Sequence, residues 1–443
     1  MPHYPYKPFI WDKSETLSRD EIRAIQFVRL RETIRRCMSI PFYRNKFDEL
    51  DLRPESIKSV DDIVKLPLTT KSDLRDNYPF GFLAVPRESV VRYHGSTGTT
   101  GKPTIIAYTH SDLELWSNLC ARFLVSGGLQ PYHTVQVAFG YGLFTGGFGL
   151  HYGIERVGAA VVPAAAGNTK RQIMLLKDMQ SDALVCTPSY ALTIAEAIKT
   201  DKILASEISL KLAFLGGEPW TESMREALET AIDIRSTNNY GLSEVMGPGV
   251  SGECQERSGM HFQEDHFIVE CIDPHTLQPV PEGQQGELVI SSISREAMPV
   301  LRYRTRDIAV LYSGRCDCGR ETLRMGRVIG RSDDMLIIRG VNIFPSQIEE
   351  ALLSIEGAAP HYQLILERPK TLDEVRVRVE LDKNLLSDKM IDMIQLKSRI
   401  EDAIHQITGL HLQVELLPPM TLERYEGKAK RVIDNRNIVT NNQ

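Results

Sequence analysis

The stretch LKLAFLGGEPWTESMREALETA, residues 210–231, holds a short apolar run, a glycine- and proline-containing turn, and then apolar residues at helical spacing. AAVVPAAAGNTKRQIMLLKDM (residues 159–179) and DALVCTPSYALTIAEAI (residues 182–198) follow the same order. Short apolar strands that alternate with helices are typical of a parallel sheet covered on both faces. Ligands bind such sheets at the carboxyl ends of the strands, where these turns lie. We therefore predict a large α/β domain with mostly parallel sheets and flanking helices.

The pattern changes after residue 329. VRVRVEL (residues 375–381) alternates apolar and charged residues, which predicts a half-exposed strand, and PSQIEEALLSI (residues 345–355) predicts a short helix that opens on proline. The glycine and charges of GRSDD (residues 330–334) mark a joint between the two patterns. We predict an N-terminal domain of residues 1–330 and a mobile α+β C-terminal domain of residues 331–443, joined by a hinge.

Composition excludes several classes of function. The chain has 443 residues, a net charge of −6 and one short basic cluster, GKAKR, so we expect no nucleic-acid partner. No apolar run approaches the ~18 residues of a membrane span, and the N-terminus does not resemble a signal peptide, so we expect no membrane partner. Seven cysteines without an export signal favour a cytoplasmic, reducing location over a disulfide framework.

HGSTGTTGKPT (residues 94–104) has the glycines, hydroxyls and lysine of a phosphate-binding loop. A Walker loop requires Gly-x4-Gly-Lys-Ser/Thr, but here Pro103 follows Lys102, and Ser96 stands where the first glycine belongs. The Walker interpretation therefore fails. Backbone amides, hydroxyls and Lys102 can still bind phosphate, and the alternative is a surface turn.

Motifs in the same order resemble those of the adenylate-forming superfamily of acyl-CoA synthetases, adenylation domains and luciferases. They are STGTTGKPT (residues 96–104), LGGEP (215–219), NNYGLSE (238–244), YRTRD (303–307), GRSDDMLIIRG (330–340) and EGKAKR (426–431). Longer stretches around them resemble phenylacetate–coenzyme A ligases, over nearly the whole chain. The resemblance implies a homodimer that attaches an aryl acid to coenzyme A, as in phenylacetate catabolism, with ATP and Mg²⁺.

The implied reaction has two halves. A carboxylate attacks the α-phosphate of ATP, which gives an acyl-adenylate and pyrophosphate, and the thiol of coenzyme A then displaces AMP. By resemblance, Glu244 holds Mg²⁺, which offsets charge on the phosphates. Lys428, rather than Lys430, contacts the carboxylate and the α-phosphate during adenylation. The loop residues that wrap the phosphates are Ser96, Thr97, Gly98, Thr99, Thr100, Gly101 and Lys102.

The resemblance also assigns the nucleotide pocket and the hinge. Tyr240 stacks on adenine, Asp307 accepts hydrogen bonds from the ribose hydroxyls, and Arg331 lies on the ribose–phosphate side. Asp333 is the hinge residue about which the small domain rotates between the half-reactions, and Gly340 lines the thiol tunnel. The other pocket residues are Gly217, Glu218, Pro219, Asn239, Gly241 and Ser243. The alternatives are a core tyrosine for Tyr240, an exposed carboxylate for Glu244, and a salt bridge to Arg304 or Arg306 for Asp307.

AFGYGLFTGGFG (residues 138–149) sets aromatic residues between glycines. Tyr141, Phe144 and Gly146 can admit a flat ring, because glycine allows close approach. The stretch holds no arginine or lysine, so a second substrate carboxylate has no partner there. We predict a pocket for a neutral aryl acid, best represented by phenylacetate; the alternative is a buried turn.

Cys254, His261, Cys316 and Cys318 form a Cys-x6-His and Cys-x-Cys array. Three cysteines and one histidine are a closed tetrahedral zinc set. The spacing is not that of a standard zinc finger, so a structural zinc site and four unrelated residues both remain open. Cysteines at these places in some phenylacetate ligases favour a structural zinc ion. The other cysteines, Cys37, Cys120, Cys186 and Cys271, lie in contexts typical of core residues.

Two further hypotheses remain. An enzyme with the same first half-reaction could load the aryl group onto the phosphopantetheine of a carrier protein. A nucleotide-binding sensor without catalysis is the third, and the presence of Glu244, Asp307 and Lys428 together speaks against it.

Overall fold

The structure is a computed structural model that describes residues 10–96, 103–333, 336–338, 341–367, 374–382, 390–423 and 431–436. Its helices are α1 (Arg19–Cys37), α2 (Pro41–Glu49), α3 (Lys71–Asp76), α4 (His110–Ser126), α5 (Thr145–Val157), α6 (Thr169–Asp178), α7 (Pro188–Thr200), α8 (Glu222–Ile232), α9 (Pro345–Leu353) and α10 (Met390–Thr408). Short 3-10 helices cover Lys13–Thr16, Pro54–Ser56, Val60–Lys65, Arg87–Ser89 and Ala205–Glu207.

The strands are β1 (Arg92–Gly95), β2 (Ile105–Tyr108), β3 (Thr134–Val137), β4 (Ala160–Val162), β5 (Ala183–Cys186), β6 (Leu212–Gly216), β7 (Arg235–Leu242), β8 (Gly247–Glu253), β9 (Met260–Phe262), β10 (Phe267–Ile272), β11 (Gln285–Ser292), β12 (Tyr303–Tyr312), β13 (Arg324–Met325), β14 (Gly330–Arg331), β15 (Leu336–Ile338), β16 (Val341–Ile343), β17 (Ala358–Glu367), β18 (Glu374–Leu381), β19 (Gln413–Leu417) and β20 (Val432–Asp434).

One large sheet organises the N-terminal part, in the order β10-β11-β12-β13-β9-β8-β7-β6-β5-β3-β4, with β14 paired to β12. Strands β3 to β7 run parallel, as the strand–turn–helix pattern predicts. From β7 to β10 along the sheet, each adjacent pair is antiparallel. The α/β fold class is confirmed, but the sheet is mixed rather than mostly parallel. The cause is the short connection from β7 to β8, since a short connection returns the chain antiparallel.

The turns after β5 and β6 are helix starts. Thr187 caps α7, with Pro188 at its first position, and Thr221 caps α8. Strand β5 is buried at every residue because helices cover both faces of the parallel part of the sheet. These features place the carboxyl ends of β5, β6 and β7 at one edge, where the predicted nucleotide residues follow them.

The C-terminal part has its own sheet, β19-β18-β17-β20, packed with α9 and α10 around a separate hydrophobic core. This separate core supports the predicted division into two domains. Ion pairs between described residues of the two parts include Arg327 with Glu350 at 3.0 Å and His361 with Glu196 at 2.9 Å. Within the described residues, no helix combines the length and apolar character that crossing a membrane requires.

Candidate active site

The predicted adenine-side residues meet where β6 and β7 end. Gly216 and Asn239 are paired across these parallel strands, and the Asn239 side chain donates to Leu215 O at 2.8 Å. Gly217 has φ +85°, a left-handed conformation that glycine adopts without steric cost. Glu218 then accepts a hydrogen bond from Ser189 N at 2.7 Å. The structure therefore brings the LGGEP and NNYGLSE motifs together.

Tyr240 and Asp307 are in direct contact. The Tyr240 hydroxyl donates to Asp307 Oδ2 at 2.6 Å, and burial together with the Asp307 charge raises the pKa of Tyr240. Arg331 stands opposite Asp307 in the pairing of β12 with β14, and its guanidinium lies 3.9 Å from the carboxylate. Arg304 donates instead to Glu287, at 2.7 and 3.0 Å. Tyr240, which was predicted at the adenine, thus forms one polar group with Asp307 and Arg331, which were predicted at the ribose.

Glu244 is a buried carboxylate with a lysine against it. Its side chain is 7% exposed, so the alternative of an ordinary exposed carboxylate is wrong. Lys71 Nζ lies 3.0 Å from Glu244 Oε1. A buried carboxylate requires a positive partner, and this arrangement shows that the Glu244 position accommodates a cation.

Lys71 is held by a segment fastened to β12. Thr69 N donates to Arg302 O at 3.0 Å, and Arg304 N donates to Thr69 O at 2.9 Å. Thr70 then caps α3, whose first residue is Lys71. Lys71 is not among the residues predicted from the sequence. A signal was present, because a cation in the first turn of a helix opposes the helix dipole and indicates another partner.

The two ends of the glycine-rich loop are joined by a hairpin. Gly95 of β1 pairs with Ile105 of β2, and Ser96 N donates to Thr104 O at 3.0 Å. The Ser96 and Thr104 hydroxyls are buried and have no hydrogen-bond partner among the described residues. Such hydroxyls at the mouth of a loop suit an anion. Other predicted residues lie outside the described part of the chain: Thr97, Gly98, Thr99, Thr100, Gly101, Lys102, Gly340 and Lys428.

The predicted acid pocket lies at the start of α5. A Cβ at Gly146 would come within 2.6 Å of the Phe144 ring, so a side chain there would require that ring to move. Tyr141 packs edge-on against Phe148, with ring centroids 5.3 Å apart. Gly140 faces open space. The turn is only partly buried, and this observation favours a pocket over the alternative of a buried turn.

The acid and nucleotide sides are joined through Thr145. Its Oγ1 lies 2.7 Å from Oγ of Ser243, which precedes Glu244. Asp333, the predicted hinge residue, is exposed, and its carboxylate lies 2.8 Å from Nε of Arg331, so it contacts the predicted ribose-side group.

Cys254, His261, Cys316 and Cys318 converge although two of them lie far from the others in sequence. All four are buried, and their ligand atoms lie within 4.8 Å of one another. Cys318 Sγ lies 3.5 Å from His261 Nε2, and His261 Nδ1 lies 3.0 Å from the Thr322 hydroxyl. A second hydrogen bond of this kind sets the orientation of a metal-binding histidine. The donor set and burial fit a structural zinc ion.

Comparison with known proteins agrees with this geometry. Residues 87–295 match the family described as AMP-binding enzyme, and residues 340–436 match the AMP-binding enzyme C-terminal domain. The phenylacetate–coenzyme A ligase of Thermus thermophilus is 46% identical to this chain, over 95% of this chain and 98% of the relative. The phenylacetate–coenzyme A ligase of Escherichia coli is also 46% identical, over 97% and 98%.

Among solved structures, 2-hydroxyisobutyryl-CoA ligase in the postadenylation state, in complex with 2-HIB-AMP, has a TM-score of 0.92 and 28% identity, over 98% of this chain and 94% of that chain. The same ligase with 2-HIB-AMP and CoA in the thioesterification state has a TM-score of 0.71 and 29% identity, over 96% and 92%. The two structures of this ligase are almost equally identical to our chain in sequence, so their TM-scores differ because the ligase is arranged differently in the two states. This protein is more similar to the postadenylation arrangement. The chain belongs to the phenylacetate–coenzyme A ligase family of AMP-binding enzymes.

Proposed function

We propose that this protein converts an aryl-acetic acid, best represented by phenylacetate, to its coenzyme A thioester through an acyl-adenylate. The observation that carries the proposal is the presence of two polar groups at the end of β7. Tyr240, Asp307 and Arg331 form the first group, and Glu244 with Lys71 forms the second. Family membership makes the chemistry that of an AMP-forming acid–thiol ligase.

In the adenylation half, the acid carboxylate attacks the α-phosphate of ATP, and pyrophosphate leaves. Glu244 would hold Mg²⁺, since its carboxylate already accommodates the charge of Lys71 in this structure. When bound, Mg²⁺ neutralises charge on the phosphate oxygens. The buried hydroxyls of Ser96 and Thr104 stand at the mouth of the loop that we assign to the phosphates. Lys71 adds a second positive charge beside the metal ligand.

The nucleotide itself is held from two sides. Asp307 accepts hydrogen bonds from the ribose hydroxyls, because a carboxylate offers two acceptor oxygens. Arg331 lies on the phosphate side of the ribose, and Tyr240 stacks on adenine while its hydroxyl remains on Asp307. Glu218 and the backbone of Gly217 line the adenine side.

In the second half, the thiol of coenzyme A attacks the acyl carbonyl, and AMP leaves. We assign Lys428 to the adenylation half only, with rotation of the small domain about Asp333 between the halves and Gly340 in the thiol tunnel. The similarity to a postadenylation arrangement, with a lower TM-score to a thioesterification state, supports two arrangements for this fold.

The acid is assigned from the α5 turn. Tyr141 and Phe144 are half-buried, Gly146 is buried, and the stretch from 138 to 149 holds no arginine or lysine. The test is acid-dependent ATP–pyrophosphate exchange with phenylacetate, hydroxyphenylacetates, benzoate, indoleacetate and fatty acids. Phenylacetate or a close aryl acetate should give the fastest exchange. A fatty acid with a catalytic efficiency tenfold higher than that of phenylacetate, which corresponds to about 1.4 kcal/mol of transition-state preference, would overturn the assignment.

A carrier protein is the alternative thiol donor. The near-full-length match to coenzyme A ligases favours free coenzyme A, since the chain covers 98% of the Thermus thermophilus relative. The comparison to make is thioester yield with coenzyme A against a phosphopantetheinylated carrier protein. A sensor without catalysis is disfavoured by the buried Glu244 and by the Tyr240–Asp307 contact.

Two assembly features complete the proposal. A structural zinc ion held by Cys254, His261, Cys316 and Cys318 would join the loop after β8 to the loop between β12 and β13. A homodimer is proposed on the resemblance alone, and light scattering of the purified protein tests it.

A further inference from the structure

The segment from residue 244 to residue 248 covers the turn between β7 and β8, which carries Glu244, and the first two residues of β8; a buried arginine binds its backbone. Arg295 donates to Glu244 O at 3.1 Å and to Val245 O at 3.0 Å. Its other terminal nitrogen donates to Ala107 O at 3.0 Å, on the strand that leaves the glycine-rich loop. Arg295 is fully buried, and within the described part of the chain its hydrogen bonds go to backbone carbonyl oxygens. A buried cation bonded in this way is costly to place, which indicates a specific role.

Two aromatic side chains bind the rest of the same turn. The Tyr108 hydroxyl donates to Met246 O at 2.7 Å, and the Trp116 indole donates to Pro248 O at 2.9 Å. The Arg295 guanidinium lies 4.8 Å from the centre of the Tyr108 ring. Tyr108 in turn stacks on Trp116, with centroids 4.9 Å apart and an interplanar angle of 13°. Three stacked side chains therefore bind four carbonyl groups of one turn.

We infer that Arg295, Tyr108 and Trp116 are positioning residues for magnesium: they hold the turn so that the Glu244 carboxylate is directed at the metal of the nucleotide. The inference rests on the proposed function, which assigns Glu244 to Mg²⁺. It adds a physical link, because Tyr108 belongs to β2, the strand that follows the glycine-rich loop. The metal ligand and the phosphate loop are thereby fixed to one scaffold.

The requirement for such a scaffold follows from the metal. Mg²⁺ demands nearly ideal octahedral geometry at ~2.0–2.1 Å, so a small displacement of a carboxylate weakens it as a ligand. The carboxylate of an aspartate or glutamate on an unsupported turn can move far enough to lose this geometry. Hydrogen bonds from the three side chains to the carbonyl groups of Glu244, Val245, Met246 and Pro248 reduce this freedom.

The test is Tyr108→Phe, which removes the hydrogen bond to Met246 and keeps the stacked ring. The matched control is Tyr362→Phe, because the Tyr362 hydroxyl is also buried and also donates to a backbone carbonyl at 2.7 Å, that of Pro345. Calorimetry measures the affinity for ATP twice, once with Mg²⁺ and once with a chelator. The carboxylic acid substrate is left out of both measurements. In wild-type protein we expect Mg²⁺ to tighten ATP binding. Tyr108→Phe should reduce this enhancement at least threefold and leave the metal-free affinity unchanged.

Tyr362→Phe should keep the wild-type enhancement. An unchanged enhancement in Tyr108→Phe would overturn the inference, and so would an equal loss of ATP affinity with and without Mg²⁺. Arg295→Lys provides a second variant; it keeps the charge but cannot reach three carbonyls, and it should lose more of the enhancement than Tyr108→Phe. Wild-type protein that binds ATP with Mg²⁺ but makes no adenylate would refute the proposed ligase function and leave this inference standing.

Discussion

Lys71 Nζ lies 3.0 Å from Glu244 Oε1, so a lysine neutralises the carboxylate that we assign to magnesium. If Glu244 holds Mg²⁺, Lys71 would leave the carboxylate or share it with the metal. If Lys71 leaves Glu244, we expect the phosphates of bound ATP to become its partner. Lys71 is thus placed to exchange one negative partner for another as the nucleotide binds.

We predict that Lys71→Met lowers the rate of ATP–pyrophosphate exchange about tenfold or more, because a charged hydrogen bond contributes roughly 1.5–3 kcal/mol. The Mg²⁺ concentration for half-maximal exchange should fall, because the competing cation is gone. The control is Lys65→Met, which removes an exposed lysine paired with Asp62 at 2.7 Å. Lys71→Met with the wild-type rate and magnesium dependence would contradict this account.

Asp307 is assigned to the ribose, and nucleotide analogues can isolate that contact. Asp307→Asn should weaken ATP binding by roughly 1.5–3 kcal/mol, since a charged acceptor is lost. Wild-type protein should bind ATP more tightly than 2′-deoxy-ATP, and the variant should discriminate less between them. Competition binding measures both ratios. An unchanged ratio would place Asp307 away from the 2′-hydroxyl.

The Cys/His cluster makes a prediction about metal content. Purified protein should contain about one zinc ion per chain, and Cys316→Ser with Cys318→Ser should lose zinc and thermal stability, because metal binding contributes to folding. Cys271→Ser is the control, since Cys271 is buried outside the cluster. Elemental analysis and thermal melts give the readouts. Protein purified without chelator and free of zinc would refute the site while leaving the ligase assignment intact.

Glu349 predicts a pH dependence of stability. Burial raises its pKa from the ordinary 4.5 to about 7, although Arg431 lies 3.2 Å away. A raised carboxyl pKa means that the folded protein keeps a proton that the unfolded chain releases. The resulting stabilisation is complete below pH 4.5 and is lost as the pH rises through 7.

The variant Glu349→Gln does not titrate, so it isolates this contribution. The free energy of unfolding of wild type relative to Glu349→Gln should fall between pH 4.5 and pH 7, by an amount on the order of 3 kcal/mol. Urea unfolding at several pH values measures it. A difference that is flat across the window, or that rises, would show that the carboxyl is ionised in the folded protein.

The sequence predicted those features that depend on local order. The strand–turn–helix pattern located β4 to β6 with α6 to α8, because apolar runs and helix caps each consist of neighbouring residues in the sequence. Tyr240, Asp307 and Arg331 were found because they lie in recognisable motifs. The Cys/His array was found because few side chains share its chemistry.

Other features depend on contacts between distant segments. Lys71 reaches Glu244 only because Thr69 is bound to the start of β12, and no local pattern encodes that contact. Nothing in the sequence around Arg295 distinguishes it from a surface charge. In the structure its side chain is fully buried and donates to the backbone carbonyl of Glu244. The antiparallel half of the sheet is made of strands joined by short connections. In sequence, each of these strands taken alone resembles a loop.

The central claim is that the thioester forms through an acyl-adenylate, and an oxygen label tests it most directly. Phenylacetate labelled with ¹⁸O in its carboxylate is incubated with the protein, ATP, Mg²⁺ and coenzyme A. The masses of the products are then measured by mass spectrometry. A carboxylate oxygen that attacks the α-phosphate stays on it when the thiol displaces AMP. The account predicts one ¹⁸O atom in each AMP, with one phenylacetyl–coenzyme A formed per AMP. Label in inorganic phosphate, with ADP as the other product, would contradict it.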